Sequence, residues 1–233
     1  MVCSKLRAAF LAAVVIGSVG VGPARADYLN VGLKSADDQV VDVIYGPDVH
    51  HLSEYKFYAG PFVASLDGGA KFDAYCVDLY HDLSPTQAVT LRSIADLGGG
   101  HGAAVGFLYD TFASQVTNSA QGAGLQLAIW DVEYDGGDGF STGLFRVGGG
   151  TSSQALAAAN QYLKAFHSAS DPSGAATWFQ CTDHGADGTI NQDLVGRPPL
   201  RAVPEPASLM LLGAGAFGLV ARSRLRRRAV ARD

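Results

Sequence analysis

Two apolar runs with basic flanks close off the ends of this chain and leave a single stretch between them to build a core. At the start, Lys5 and Arg7 precede the run Ala8 to Val21, and Ala24-Arg25-Ala26 follows it. That is the basic, apolar, small-x-small order read by a signal peptidase. Residues 1–26 are therefore expected to be a signal peptide whose apolar run forms a helix. Cleavage after Ala26 would remove Cys3 and leave Asp27 as the first residue. At the other end, Val203, Pro204, Glu205 and Pro206 precede an apolar run from Ala207 to Ala221. Arg222, Arg224, Arg226, Arg227 and Arg228 follow. The apolar run is short against the ~20 residues that cross a bilayer. The arginines nevertheless predict a transmembrane helix whose end stays on the cytoplasmic side.

Residues 27–201 make one domain's worth of chain, enough to bury a sizeable core. The formal charge of −5 hides how acidic this part is, because both ends are basic: 27–201 holds eight Lys and Arg against twenty Asp and Glu. Such a surface repels phosphates, and nucleic acid is excluded as a partner. The segments 39–46, 55–66 and 71–79 are rich in aromatic and β-branched residues and partly alternate, which predicts strands, with Leu66-Asp67-Gly68-Gly69 as a hairpin turn. Helical spacing follows at 102–114, 119–133 and 152–168, and strands return at 176–181 and 189–195. Strands, then helices, then strands predict an α+β fold: an antiparallel β-sandwich or barrel with a small helical subdomain.

Cys76 and Cys181 are the cysteines that survive signal cleavage. Outside the cytoplasm, two cysteines pair readily. A Cys76–Cys181 disulfide would close a long loop, worth ~4 kcal/mol in the chain-entropy account. A cysteine hydrolase would instead pair Cys76 with His81, His101 or His184. Asp73, Asp78 and His81 stand close enough in sequence to assist by proton transfer. The acidic Gly-rich stretches 135–139 and 183–188 lack the ligand spacing of an EF-hand and read as turns, and His50-His51 is a weak metal pair. No metal and no cofactor is assigned.

Two resemblances sharpen this reading. The Val203–Pro206 box, the apolar run and the arginine cluster resemble, in that order, the PEP-CTERM sorting signal of Gram-negative bacteria that make exopolysaccharide. The resemblance covers 202–233. It implies recognition and processing by an inner-membrane exosortase, through a membrane-anchored intermediate, with delivery to the cell surface or extracellular matrix. The second lies in the domain. Tyr75-Cys76, followed by Leu125-Gln126-Leu127-Ala128-Ile129-Trp130, resembles the aromatic-Cys and hydrophobic-Gln-x-x-hydrophobic-Trp motifs of thioester domains in bacterial surface adhesins. That resemblance implies an internal thioester between the Cys76 sulfur and the Gln126 carbonyl, shielded by Tyr75 and Trp130. It also implies covalent capture of a protein amine or a polysaccharide hydroxyl, in a single turnover rather than as an enzyme. Cys181 is then left without a partner. The alternative is a non-reactive structural matrix protein that carries the disulfide.

Overall fold

The computed structural model describes residues 27–34, 39–185, 188 and 190–199. The signal-peptide and sorting-signal readings, with their two helices, lie outside these residues. Among the described residues no helix is long and apolar enough to cross a membrane.

The strands are β1 (Asp27–Leu33), β2 (Gln39–Tyr45), β3 (Ser53–Ala59), β4 (Phe62–Leu66), β5 (Lys71–Cys76), β6 (Thr86–Ser93), β7 (Phe145–Val147), β8 (Thr177–Cys181) and β9 (Leu194–Gly196). Six of them close an antiparallel barrel in the order β1-β4-β5-β9-β8-β6, and β3-β2-β7 form a second antiparallel sheet. The helices are α1 (Gly102–Phe112), α2 (Ser119–Asp135) and α3 (Ser153–Ser168). The fold is thus α+β, with a barrel, a smaller sheet and three helices.

The expected strand over 55–66 divides in two. Gly60 has φ 149°, and Pro61 has no N–H to give a ladder. The chain breaks there, sending β3 to the small sheet and β4 to the barrel. The hairpin turn falls where the sequence places it: Gly69 N–H donates to the Leu66 carbonyl at 2.9 Å, and the central Asp67 and Gly68 both have positive φ, 49° and 70°, as a primed turn requires. β1 and β6 carry no strong pattern in the sequence and are held by pairing instead. β1 is flanked by β4 on one side and β6 on the other.

Helix α2 occupies the centre of the molecule. Every residue from Gly122 to Val132 is buried, so the helix presents no free face and shows little amphipathic contrast. Asn118 caps its start by accepting the Gln121 N–H at 2.9 Å, and Gly136, at φ 71°, ends it. Gly124 lets α3 approach closely: a Cβ there would lie 2.7 Å from the Cβ of Ala158. Two apolar clusters meet at this helix. One joins the barrel interior (Leu29, Ala64, Phe179, Leu194) to Trp130, Phe145 and the second sheet. The other lies between the outer face of the barrel (Tyr75, Trp178, Val195) and α1 and α2.

Candidate functional site

Cys76 is the last residue of β5, and its backbone meets a gap in the ladder. The β4–β5 pairing runs from Ser65–Lys71 to Phe62–Ala74 and stops, because Pro61 and Gly60 turn away. Val77 N–H points to the Asp193 carbonyl (3.1 Å), beside β9, so the N–H and C=O of Cys76 face the vacated β4 side. Gln126 of α2 fills that position. Its Oε1 accepts the Cys76 N–H at 2.9 Å and its Nε2 donates to the Cys76 carbonyl at 2.7 Å. The Gln126 side chain is fully buried.

The Cys76 sulfur is held on the following loop. It donates to the Asp78 carbonyl at 2.9 Å and accepts the Asp78 N–H at 3.2 Å. Burial pushes the thiol's pKa well above the ordinary range. The Trp130 indole N–H and the Asp78 N–H pull the other way, and the Asp78 and Asp193 carboxylates add to the rise. Trp130 Nε1 has no hydrogen bond of good geometry, yet it lies close enough to the sulfur to act on it electrostatically. The thiol is therefore protonated, dry and beside two N–H groups that favour its anion.

The cover over this site differs from the expected one. Trp130 shares the Cys76 cluster and packs on Phe57 and Phe145, with ring centres 6.0 and 6.2 Å away. Tyr75 does not cover the sulfur. Adjacent strand residues point to opposite faces, and Tyr75 lies in the other cluster, edge-on to Tyr109 at 6.1 Å. Its place is taken by residues that the motif did not mark. Tyr45 donates its hydroxyl to the Leu79 carbonyl, and Tyr134 accepts the Leu79 N–H at 2.9 Å. Together they pin the 77–81 loop beside the sulfur. Tyr80 packs between them, 5.2 Å from Tyr45 and 5.8 Å from Tyr134, and is half exposed. A signal was present in part: Tyr134 stands four residues beyond Trp130, on the same face of α2.

Of the other sequence candidates, Asp78 holds the sulfur through its backbone, and the side chains of the rest are engaged elsewhere or not seen at the sulfur. Asp73 forms an ion pair with Lys34 at 2.6 Å. Asp78 turns its carboxylate to Tyr80 N–H and to His81 Nδ1, at 2.9 and 2.5 Å. His101 Nδ1 meets the Glu133 carbonyl at 2.9 Å, and His184 forms a bridge with Ile190. His51 pairs with Asp48 at the surface.

Both cysteines are buried free thiols. Strand β9 lies between β5 and β8: Cys76 pairs with Leu194, and Leu194 pairs with Phe179, two residues short of Cys181. Two strand spacings set their Cα atoms roughly 10 Å or more apart, beyond the ~7 Å limit for a disulfide. The Cys76–Cys181 disulfide of the alternative reading does not fit this register. Cys181 instead donates its S–H to Asp183 Oδ1 at 2.9 Å.

No curated protein matches this chain. Among solved structures, it is similar to the N-terminal domain of the Streptococcus pyogenes pilus tip adhesin Cpa. The identity is 16%, over 74% of this chain and 94% of that one, with a TM-score of 0.42. It is also similar to the N-terminal thioester domain of fibronectin-binding protein SfbI from Streptococcus pyogenes. There the identity is 13%, over 70% of this chain and 95% of that one, with a TM-score of 0.37. Residues 202–228, which hold the Val203–Pro206 box and the Arg222–Arg228 cluster, match the PEP-CTERM protein-sorting motif, the mark of an exported protein sorted to the cell surface.

Proposed function

We propose that this is an exported surface protein that attaches covalently to a partner through an internal thioester between Cys76 and Gln126. The observation that carries the reading is the two-point clamp on the Gln126 carboxamide, in a buried site beside the Cys76 sulfur.

The chemistry follows from that clamp. The Cys76 N–H already donates to Oε1, where negative charge gathers when sulfur adds to the carboxamide carbon. The sulfur leaves Asp78, adds to that carbon, and its proton passes to the departing nitrogen. Ammonia is lost and an acyl–sulfur bond remains. Burial keeps water from the bond, as a stored electrophile requires. A partner amine then attacks the same carbon, the sulfur departs and takes up a proton, and an amide joins the partner to residue 126. A hydroxyl gives an ester. The N–H groups of Trp130 and Asp78 ease the departure of the sulfur. Each molecule reacts once and does not turn over. The tail delivers the domain: an exosortase processes the sorting motif from a membrane-anchored intermediate, leaving the domain at the surface or in the matrix of a Gram-negative cell.

A competing reading gives Gln126 a purely structural task, supported by the gap that it fills where β4 ends. Intact mass separates the two. The thioester predicts a protein lighter than its sequence by one ammonia, a deficit absent in Cys76→Ala and Gln126→Ala and replaced by an adduct on exposure to methylamine. A protein of full reduced mass in fresh material rejects the thioester and leaves the structural reading.

A further inference from the structure

The end of α2 carries a group of side chains that the thioester chemistry does not use. Asp131 and Asp135 lie in its last turns and Asp138 in the turn that follows. One carboxylate oxygen from each lies within 4.8 Å of the others. The sequence presents 135–139 as a turn, and it is one, but the fold adds Asp131 from one helical turn earlier.

Three features set this group apart from an ordinary acidic turn. Asp131 has no exposed surface, and its Oδ1 has no hydrogen-bond partner, while its Oδ2 accepts the Gly139 N–H at 3.1 Å. A buried carboxylate oxygen left in that state is costly unless a proton or a cation meets it, and a cation lets all three carboxylates stay ionised. Next, the position is the C-terminal end of a 17-residue helix, where the backbone dipole already favours positive charge, and no basic residue lies in the last turn. Finally, no ion pair among the described residues involves any of the three aspartates.

We infer that Asp131, Asp135 and Asp138 form a calcium site at the end of α2. All three ligands are hard oxygens, supplied by a helix end and an irregular turn rather than by a compact octahedral cage. Calcium accepts such a set and fills its remaining positions with water, whereas magnesium demands closer geometry and gives up its water reluctantly. Asp135 keeps lone pairs for the ion although each of its oxygens already accepts a backbone N–H, from Leu144 at 2.8 Å and Phe145 at 2.6 Å. Through those bonds the ion would tie the end of α2 to the start of β7, and hence to the second sheet. Asp131 directly follows Trp130, so the ion would also steady the segment that covers Cys76. The inference stands whether or not the thioester forms.

Calorimetric titration of the full-length protein with calcium chloride, paired with thermal unfolding in calcium, magnesium or chelator, tests it. The expected result is one bound calcium per chain at ~10⁻⁴–10⁻³ M, the affinity range of extracellular modules. Calcium should raise the melting temperature over chelator, and magnesium should raise it less. Asp138→Asn, at an exposed position, should weaken binding by about tenfold or more without lowering the melting temperature in chelator. Asp131→Asn should remove the calcium response and, by relieving repulsion, hold or raise the metal-free melting temperature. No binding at millimolar calcium, an equal response to magnesium, or an unchanged calcium response in Asp138→Asn would each overturn the site.

Discussion

Gln126 completes both backbone hydrogen bonds of Cys76 with its side chain, doing for β5 what the next residue pair of β4 would have done. A side chain that replaces a strand is a poor candidate for casual substitution. Gln126→Ala would leave a buried N–H and a buried C=O without partners. At ~1–3 kcal/mol for each such group, the loss should come to about 2–6 kcal/mol, read from chemical denaturation. A change below 0.5 kcal/mol, the usual ceiling for a surface substitution, would mean that the clamp is absent in solution.

Tyr75 and Trp130 flank the motif alike in sequence and separate in space. Trp130→Phe should speed capture of methylamine by roughly tenfold, because opening the cover outweighs the loss of one N–H that eases the sulfur's departure. Tyr75→Phe, on the far face of β5, should leave that rate within twofold. Rates from timed mass spectra decide the point, and an equal effect of the two changes would contradict the assignment of the cover.

Cys181 should be a bystander. Burial pushes its pKa up to about 11, and the Asp183 carboxylate adds to the rise, so little thiolate exists at neutral pH. Native protein held near pH 8 should resist iodoacetamide at this residue, and Cys181→Ala should keep the mass deficit of the parent. Loss of that deficit in Cys181→Ala would give Cys181 a part in the chemistry.

Packing at Gly124 makes a separate test. A methyl group there meets Ala158 and the backbone of α3 at under 3 Å. Gly124→Ala should therefore destabilise the fold by about 1–3 kcal/mol, although alanine is the better helix former. A gain in stability would mean that α2 and α3 stand farther apart than described.

Alkaline pH should unfold the protein gradually. Burial, foremost, holds the phenols of Tyr45 and Tyr109 up to about 12, against ~10 in an unfolded chain. Their contribution is intact below pH 10 and is lost as pH rises towards 12, because the unfolded chain ionises first. Melting temperatures across that window should fall, and less steeply in Tyr109→Phe.

The sequence displayed its chemistry better than its topology. All three helices were legible, because the spacing of apolar residues along them is a local property. The single strand read over 55–66 failed because both halves are equally β-prone; which sheet each joins depends on pairing across the molecule, and Gly60-Pro61 alone marks the break. β1 and β6 escaped notice for a related reason: their residues gain burial from neighbours distant in sequence. At the site, Cys76, Gln126 and Trp130 were visible as a spaced motif, and the fold brings them together. Tyr75 was misplaced because adjacency along a strand means opposition in space. Tyr45 entered unseen from the second sheet, and Asp131 was overlooked because only a helix end brings it to the turn at 135–139.

The last strand of the barrel has one more implication. β9 ends at Gly196, and the matched sorting segment begins at residue 202. The intervening stretch is a leash of no more than ~20 Å even at full stretch. Whatever grips the tail keeps the domain close beside it, and β9 is the immediate neighbour of the strand that carries Cys76. Only severing the leash would free the cysteine-bearing side of the barrel to meet anything at a distance.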